Sequence, residues 1–440
     1  MTQPAITQAL ILTANYGHGH NALANKLASH LSGLTDTAVT IINISDFLVE
    51  HYDDHIKSRR LSIRYALHQQ LNFGYQKASE SPSWLFKIHP LVVGSRFIKS
   101  FYNVITHFYL DYIYPKRLFS ELLNKVQQAD VIFSVVPTSH QLIMRSGSNA
   151  IRVNLAQDFG RSNRCVWWGD FWDTFFAADT ASYQHAQSML PITSQIHNLG
   201  PMYFKSDYRQ LPAITLDQQP VILFIPGKSG HTVRFEQQLF ALAMQCLEQG
   251  YRVVWKNNQT TVPDYIKHIP SEVLTQFTLE PKGQLKDLHQ YSLVVGKGGY
   301  NQITEAFLQG TPYAAVKFLG YWERGNLSVQ FDGAYLLDWT KEAKLPSHDE
   351  LHHMKQAQQQ LRDRLFAKPT QWQAALTALV DKKLHKTPYK QQRLMPKSLR
   401  RLLLLPVAMI FYSFGCCLLA GEAAKLIKRK LFPMQIQSKQ

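Results

Sequence analysis

Residues Tyr291–Asn326 read YSLVVGKGGYNQITEAFLQGTPYAAVKFLGYWERGN. The short apolar run Leu293–Val295 is bounded by polar and glycine residues, which predicts a strand buried on both faces. Gly296-Lys297-Gly298-Gly299 predicts a turn, and a helical pattern through Glu305 and Phe307 stops at Gly310. Thr311-Pro312 then restarts the chain into a second strand, Tyr313–Phe318. Strand, glycine turn and helix are half of a βαβ unit, and such a turn lets backbone N–H groups at the helix start face an anion. Glu305 stands about two turns into that helix. A carboxylate there repels phosphates but can accept hydrogen bonds from a ribose diol. The stretch therefore predicts a site for a nucleoside diphosphate.

Upstream of it the same pattern recurs. Pro220–Ile225 predicts a strand, followed by the loop Pro226-Gly227-Lys228-Ser229-Gly230-His231 and a helix from Val233 to Gln249. A Walker P-loop is excluded, because Ile222 stands where its first glycine belongs. What remains is a glycine loop at a helix start, a place where a diphosphate binds. Lys228 there either adds charge or sits in solvent. Tyr251–Trp255 and Phe277–Glu280 predict further strands, Leu285–His289 a short helix, and Asp349–Leu384 a polar helical segment packing across the domains. The alternating order predicts a Rossmann-like domain over residues 215–385. The polar stretch Ser206–Gln219 reads as the linker that precedes it.

The N-terminal half, residues 1–205, repeats the theme. Ala9–Ala14 predicts a strand that runs into Asn15-Tyr16-Gly17-His18-Gly19-His20 and a helix from Asn21. This loop lacks the G-x-G-x-x-G fingerprint, which argues against a nicotinamide cofactor. His18 and His20 are either solvated loop residues or site residues; two histidines without a third partnered ligand do not make a metal site. Val39–Ile44, Asp130–Val136, Ile151–Ala156 and Asp173–Ala177 predict the remaining strands. Asp158 follows one strand end, on the side of an α/β sheet where ligands sit. Residues 52–123 form a long basic and aromatic insert, read either as ordinary helix packing with snorkelling lysines or as a lipid-docking surface.

The pattern strand–GG–x4–TEA–x3–G–x–P, followed by Glu323 and Asn326, resembles the donor-sugar end of GT-B-type glycosyltransferases. It is similar to the branch holding monogalactosyldiacylglycerol synthases and the UDP-GlcNAc transferase of the peptidoglycan lipid precursor. The resemblance covers most of residues 8–340. It implies a GT-B-like α/β fold of two facing Rossmann-like domains, a UDP-sugar co-substrate, and inversion at the anomeric carbon. Donor contacts are implied at Gly227, Lys228, Ser229, Gly230, Lys297, Gly298, Gly299, Gln302, Glu305, Glu323 and Asn326. His20 matches the histidine of the family's acceptor-facing loop, with His18 beside it. Asp158 matches the aspartate of a T-D pattern, although Gln157 replaces the threonine. The segment YQKASESPSWLFKIHP resembles the insert that carries acceptor contacts, here Trp84 and Phe86. Gln302 stands where the family has a phosphate-touching threonine, and the first loop is GHGH in place of a glycine triplet.

Composition bounds this reading. The 440 residues suffice for two domains, and 45% are apolar. The four cysteines form no C-x-x-C pair, so neither a disulfide framework nor a zinc ribbon is indicated, which suits a reducing compartment. The N-terminus lacks a basic n-region, so no cleaved signal peptide is expected. The net charge of +16 suits nucleic acid, an anionic membrane surface or anionic substrates. No nucleic-acid motif is present, and basic residues lie beside apolar ones, which favours the membrane. Within residues 386–440 the uncharged run Leu402–Gly421 has the length of a membrane span. Pro406 and basic residues on both flanks weaken a simple crossing; a re-entrant or in-plane helix is the alternative, ahead of a soluble core helix.

The expectation is an inverting hexosyltransferase on the cytoplasmic face of a membrane, moving sugar from a UDP-sugar to diacylglycerol or another lipid hydroxyl. His20 is the expected base, with Asp158 second, and no metal or other cofactor is expected. A non-catalytic lipid-tethered subunit of the same fold and a UDP-sugar epimerase are the alternatives.

Overall fold

Twelve short, mostly apolar segments become the strands of two sheets in the computed structural model. It describes residues 8–14, 18–32, 37–44, 46–47, 116–136, 139–156, 159, 172–190, 192, 194–208, 210–212, 219–226, 233–257, 266, 269–281, 287–317, 326, 334–339, 344–366, 369–381 and 405–406. The N-terminal sheet comprises β1 (Gln8–Thr13), β2 (Ala38–Asn43), β3 (Val131–Ser134), β4 (Ile151–Leu155), β5 (Thr174–Ala177) and β6 (Gln195–Asn198). The second comprises β7 (Val221–Ile225), β8 (Arg252–Lys256), β9 (Phe277–Glu280), β10 (Leu293–Lys297), β11 (Tyr313–Lys317) and β12 (Leu336–Asp338).

Their orders are β2-β1-β3-β4-β5-β6 and β12-β11-β10-β7-β8-β9, and every pairing is parallel. The strand order reverses between β1 and β3 in one sheet and between β7 and β10 in the other. Those are the crevices in which doubly wound sheets bind ligands. The two Rossmann-like halves expected from the sequence are thus present.

Both faces of the second sheet are covered, which is why its strands are nearly uniformly apolar. Leu223, Ile225 and Val294 point into a core continuous with that of the N-terminal half. Ile222, Phe224, Val253 and Val295 point the other way, into a core closed by Leu239, Ala243 and Leu351. The edge strands β6 and β12 escape sequence reading because they are short and partly exposed. QIHN, the sequence of β6, carries no apolar run.

Two further boundaries differ from expectation. The first helix, α1 (His18–Ser32), starts at His18 and not at Asn21, so both histidines occupy its opening turn. The segment expected as a helix at Leu285–His289 is a 3-10 turn at Leu288–Gln290. The strand expected at Tyr313–Phe318 is present over Tyr313–Lys317, and Phe318 lies outside the described residues.

Connecting helices have local reasons for their limits. Among its described residues the N-terminal half also holds α2 (Lys116–Gln128), α3 (Ser139–Ser146) and α4 (Thr180–Met189). Asp179 and Ser182 form a capping box at the start of α4. In the second half α5 (Val233–Glu248) and α6 (Ser271–Leu274) precede α7 (Tyr300–Leu308), and α8 (His348–Leu365) begins with a Ser347–Glu350 capping box. Gly310, at φ 65°, ends the chain's run through α7 in a left-handed conformation that suits glycine. A side chain there would also meet Gln359 of α8 at 2.5 Å.

The last helices tie the halves together. Phe366, just after α8, packs edge-on against Tyr203, and Trp372 of α9 (Pro369–Asp381) meets Phe176 of β5 at 5.4 Å. Trp372 is 1% exposed, so its ring is removed from water where the halves meet. The outgoing strand region is clamped by the same helices: Tyr208 donates to Asp363 at 2.6 Å while the Arg362 guanidinium lies over its ring. The crossing expected of this segment is therefore realised. No helix among the described residues is long and apolar enough to cross a membrane. The expected tail at 386–440 and the insert at 52–123 lie largely outside the described residues.

Candidate functional site

The carboxyl edges of β1 and β3 and of β10 converge on one region between the halves. On the N-terminal side, α1 begins directly after β1. His20, in its first turn, places Nδ1 2.8 Å from the Val135 carbonyl at the end of β3. A carbonyl oxygen only accepts, so that nitrogen carries the proton. In the neutral ring Nε2 then holds the lone pair. Beside it Asn21 accepts from Thr13 Oγ1 at 2.9 Å and from Asn43 Nδ2 at 3.3 Å, which pins the helix start to β1 and β2.

On the C-terminal side β10 runs through Lys297 with an irregular register after Gly296, and Gly299 caps α7 without any side-chain cap. No side chain caps the first N–H groups of α7, which stand at the positive end of the helix dipole and can face an anion. Tyr313 shapes this turn from below, donating to the Lys297 carbonyl at 2.5 Å with Gln302 Oε1 2.9 Å from the same hydroxyl. A phenol has one proton to give, so the Gln302 amide satisfies this geometry best with its nitrogen turned toward Tyr313. The side chain of Gln302 is thus engaged with Tyr313.

Contacts between the halves assemble here. Asn326 is fully buried; its Oδ1 accepts from the Phe159 N–H at 2.8 Å and its Nδ2 donates to the Gly298 carbonyl at 3.0 Å. Phe159 in turn packs its ring against Tyr300, the first residue of α7, at 4.6 Å. Gly19 lies so close to Asn301 that any side chain on it would collide with that carboxamide. Deeper along the two helices, Lys26 Nζ of α1 faces Glu305 Oε1 of α7 at 3.5 Å. Lys26 is 2% exposed and the Glu305 side chain 34% exposed, so the cation is inside and the carboxylate reaches the cleft.

Other cations near these edges are already committed. Lys256, at the end of β8, is neutralised by Glu280 at 3.2 Å, and Glu280 also accepts from Tyr291 at 2.6 Å. Lys355 of α8 lies elsewhere, buried at the amino end of β10, where it donates to the carbonyls of His289 and Tyr291; desolvation pushes its ammonium down to about 8. Among the described residues no group of three potential ligands could hold a metal ion.

The structure thus brings His20, Lys297, Gly298, Gly299, Gln302, Glu305 and Asn326 to one region. Asp158, Trp84, Phe86, Gly227, Lys228, Ser229, Gly230 and Glu323 lie outside the described residues, as does the His18 side chain. Sequence reading missed Lys26, Phe159, Tyr300, Asn301 and Tyr313. Each meets a partner distant in the sequence or packs against one, and none occupies a fixed position of a motif.

The sequence matches no family model and no curated protein. Solved structures match by fold. A Phytolacca americana enzyme, UGT2, complexed with UDP-2-fluoro-glucose and pterostilbene, is 12% identical, with a TM-score of 0.52 over 85% of this chain and 99% of that one. A Polygonum tinctorium UDP-glucosyltransferase capable of glucosylating indoxyl is 12% identical, with a TM-score of 0.51 over 87% and 100%. Arabidopsis thaliana UGT89C1 complexed with UDP-L-rhamnose is 12% identical, with a TM-score of 0.50 over 86% and 100%. The chain therefore has the two-domain GT-B-like architecture of these proteins.

Proposed function

We propose that the protein is an inverting, UDP-sugar-dependent glycosyltransferase acting on a membrane lipid hydroxyl, diacylglycerol or another glycerolipid. One observation carries the reading: the uncapped start of α7, at the end of the switch-point strand, with Glu305 on the same helix. The reading draws further support from the fold, shared with proteins solved holding UDP-sugars.

The diphosphate lies against Gly298 and Gly299, beside Lys297, and Glu305 accepts from the ribose hydroxyls. Contacts from Gly227, Lys228, Ser229 and Gly230 to the diphosphate, and from Glu323 to the sugar, rest on the sequence resemblance alone. Asn326 acts one step back, by fixing the Gly298 turn against Phe159. As the sugar–phosphate bond breaks, negative charge grows on the diphosphate. The α7 dipole and the neighbouring lysines oppose that charge, so the leaving group is stabilised without a metal. Inversion requires a base on the acceptor side. His20 fits, because its Nδ1 proton is held by Val135 and Nε2 is left basic. Asp158 is the second candidate, as base or as a group orienting the imidazole.

The lipid acceptor rests on sequence alone: the basic aromatic insert at 52–123, the net charge of +16, and the apolar run Leu402–Gly421 between basic flanks. The same sequence features are what support a position at the cytoplasmic face of a membrane, through residues 386–440. The deciding experiment offers purified full-length protein UDP-glucose, UDP-galactose and UDP-GlcNAc with a lipid extract, and identifies products by mass. A hexosylated lipid is expected. Binding of UDP with no transfer would instead make it a non-catalytic subunit, and interconversion of the UDP-sugars without acceptor an epimerase.

A further inference from the structure

We infer that Lys26, in the N-terminal half, is a positioning residue for Glu305 and thereby for the ribose of the nucleotide, an inference that rests on the nucleotide reading above. The evidence is an imbalance. Lys26 is 2% exposed on a helix face lined by Leu23 and Leu27, where an apolar side chain would pack without cost. Burying an ammonium is unfavourable unless its charge is met. Among the described residues Lys26 has one polar partner, Glu305 Oε1 at 3.5 Å, with the Phe204 ring 5.8 Å away. That separation is at the outer limit of a hydrogen bond, and an ammonium carries three donors. The attraction is therefore mainly Coulombic, and burial strengthens it.

Its effect falls on the carboxylate. Oε1 is drawn toward Lys26, while among the described residues Oε2 has no protein partner and the side chain is one-third exposed at the cleft. A flexible glutamate is thereby held in one orientation before any ligand arrives, which reduces the rotamer entropy lost on binding a diol. The arrangement also makes ribose recognition by the C-terminal half depend on a residue of the other half. Nucleotide grip and the approach of the two halves are coupled through this pair.

Titration calorimetry on the full-length protein with UDP and 2′,3′-dideoxy-UDP tests it. Lys26→Met is expected to weaken UDP roughly tenfold, the scale of one charged hydrogen bond, and the dideoxy compound less than twofold. Lys26→Arg should recover part of the loss. Combining Lys26→Met with Glu305→Gln should cost little more than Glu305→Gln alone, because the two act as one unit. Equal weakening of both nucleotides by Lys26→Met would assign Lys26 a structural role and overturn the inference. If Lys26→Met does not fold, Lys26→Gln, which keeps a polar stem without the charge, is measured in its place: a selective loss of UDP affinity supports the inference, and equal weakening of both nucleotides, or none, overturns it. Wild-type protein that binds no UDP would instead overturn the nucleotide reading on which this one stands.

Discussion

Asn326 offers the sharpest test of how this site is built. The family pattern makes it a donor-sugar contact; the structure uses both ends of its amide on the backbone of Phe159 and Gly298. The two roles predict different phenotypes for Asn326→Ala. Removal of the amide leaves a buried N–H and a buried carbonyl without that partner, at about 1–3 kcal/mol each. The losses share one site and relax together, so about 2–4 kcal/mol in total is expected. In a chain of 440 residues that is a fall of roughly 2–5 °C in Tm. The released Gly298 turn also loses its set at the helix start, and UDP itself should bind about tenfold more weakly. Scanning fluorimetry and calorimetric titration with UDP and with UDP-sugar measure both effects. An unchanged Tm and UDP affinity, with weakened UDP-sugar alone, would refute the clamp and restore the sugar contact.

Further outcomes are expected. His20→Ala should lower kcat at least a hundredfold with little change in UDP affinity, since a base acts in the transition state; near-full turnover, with Asp158→Ala inactive, would exchange the two assignments. Turnover should survive EDTA, because helix and lysines stabilise the leaving group; loss on chelation, restored by magnesium or manganese, would contradict that account. Removal of Arg400–Gln440 should abolish flotation with anionic liposomes, each basic residue near the surface contributing about 1 kcal/mol; equal flotation would move the anchor to the 52–123 insert. Two pH effects have opposite signs. Lys355 titrates at about 8 when folded against 10.5 ordinarily, so its desolvation penalty is full below pH 8 and relieved as pH rises to 10.5. Wild-type stability should therefore rise relative to Lys355→Met across that interval. Burial raises Tyr203 and Tyr291, and Tyr208 to about 12, so their contribution is full below pH 10 and lost above it; stability that holds through pH 12 would contradict the observed burial.

The amino-acid sequence alone determined the class of fold. Apolar runs of strand length, separated by glycine turns and helical periods, can only be buried by a doubly wound sheet, and they occur twice. It also marked the turn at Gly298–Gly299 and the carboxylate of Glu305, because backbone approach and helix spacing are local properties. It left β6 and β12 unread, since a partly exposed edge strand needs no apolar run. It gave no hint that Asn326 would face Phe159, that Gly19 would lie against Asn301, or that Lys26 would be buried opposite Glu305. Those pairings are set by how the two sheets approach each other. A buried amide or ammonium acquires its role from the group it meets, and that group lies in the other half of the molecule.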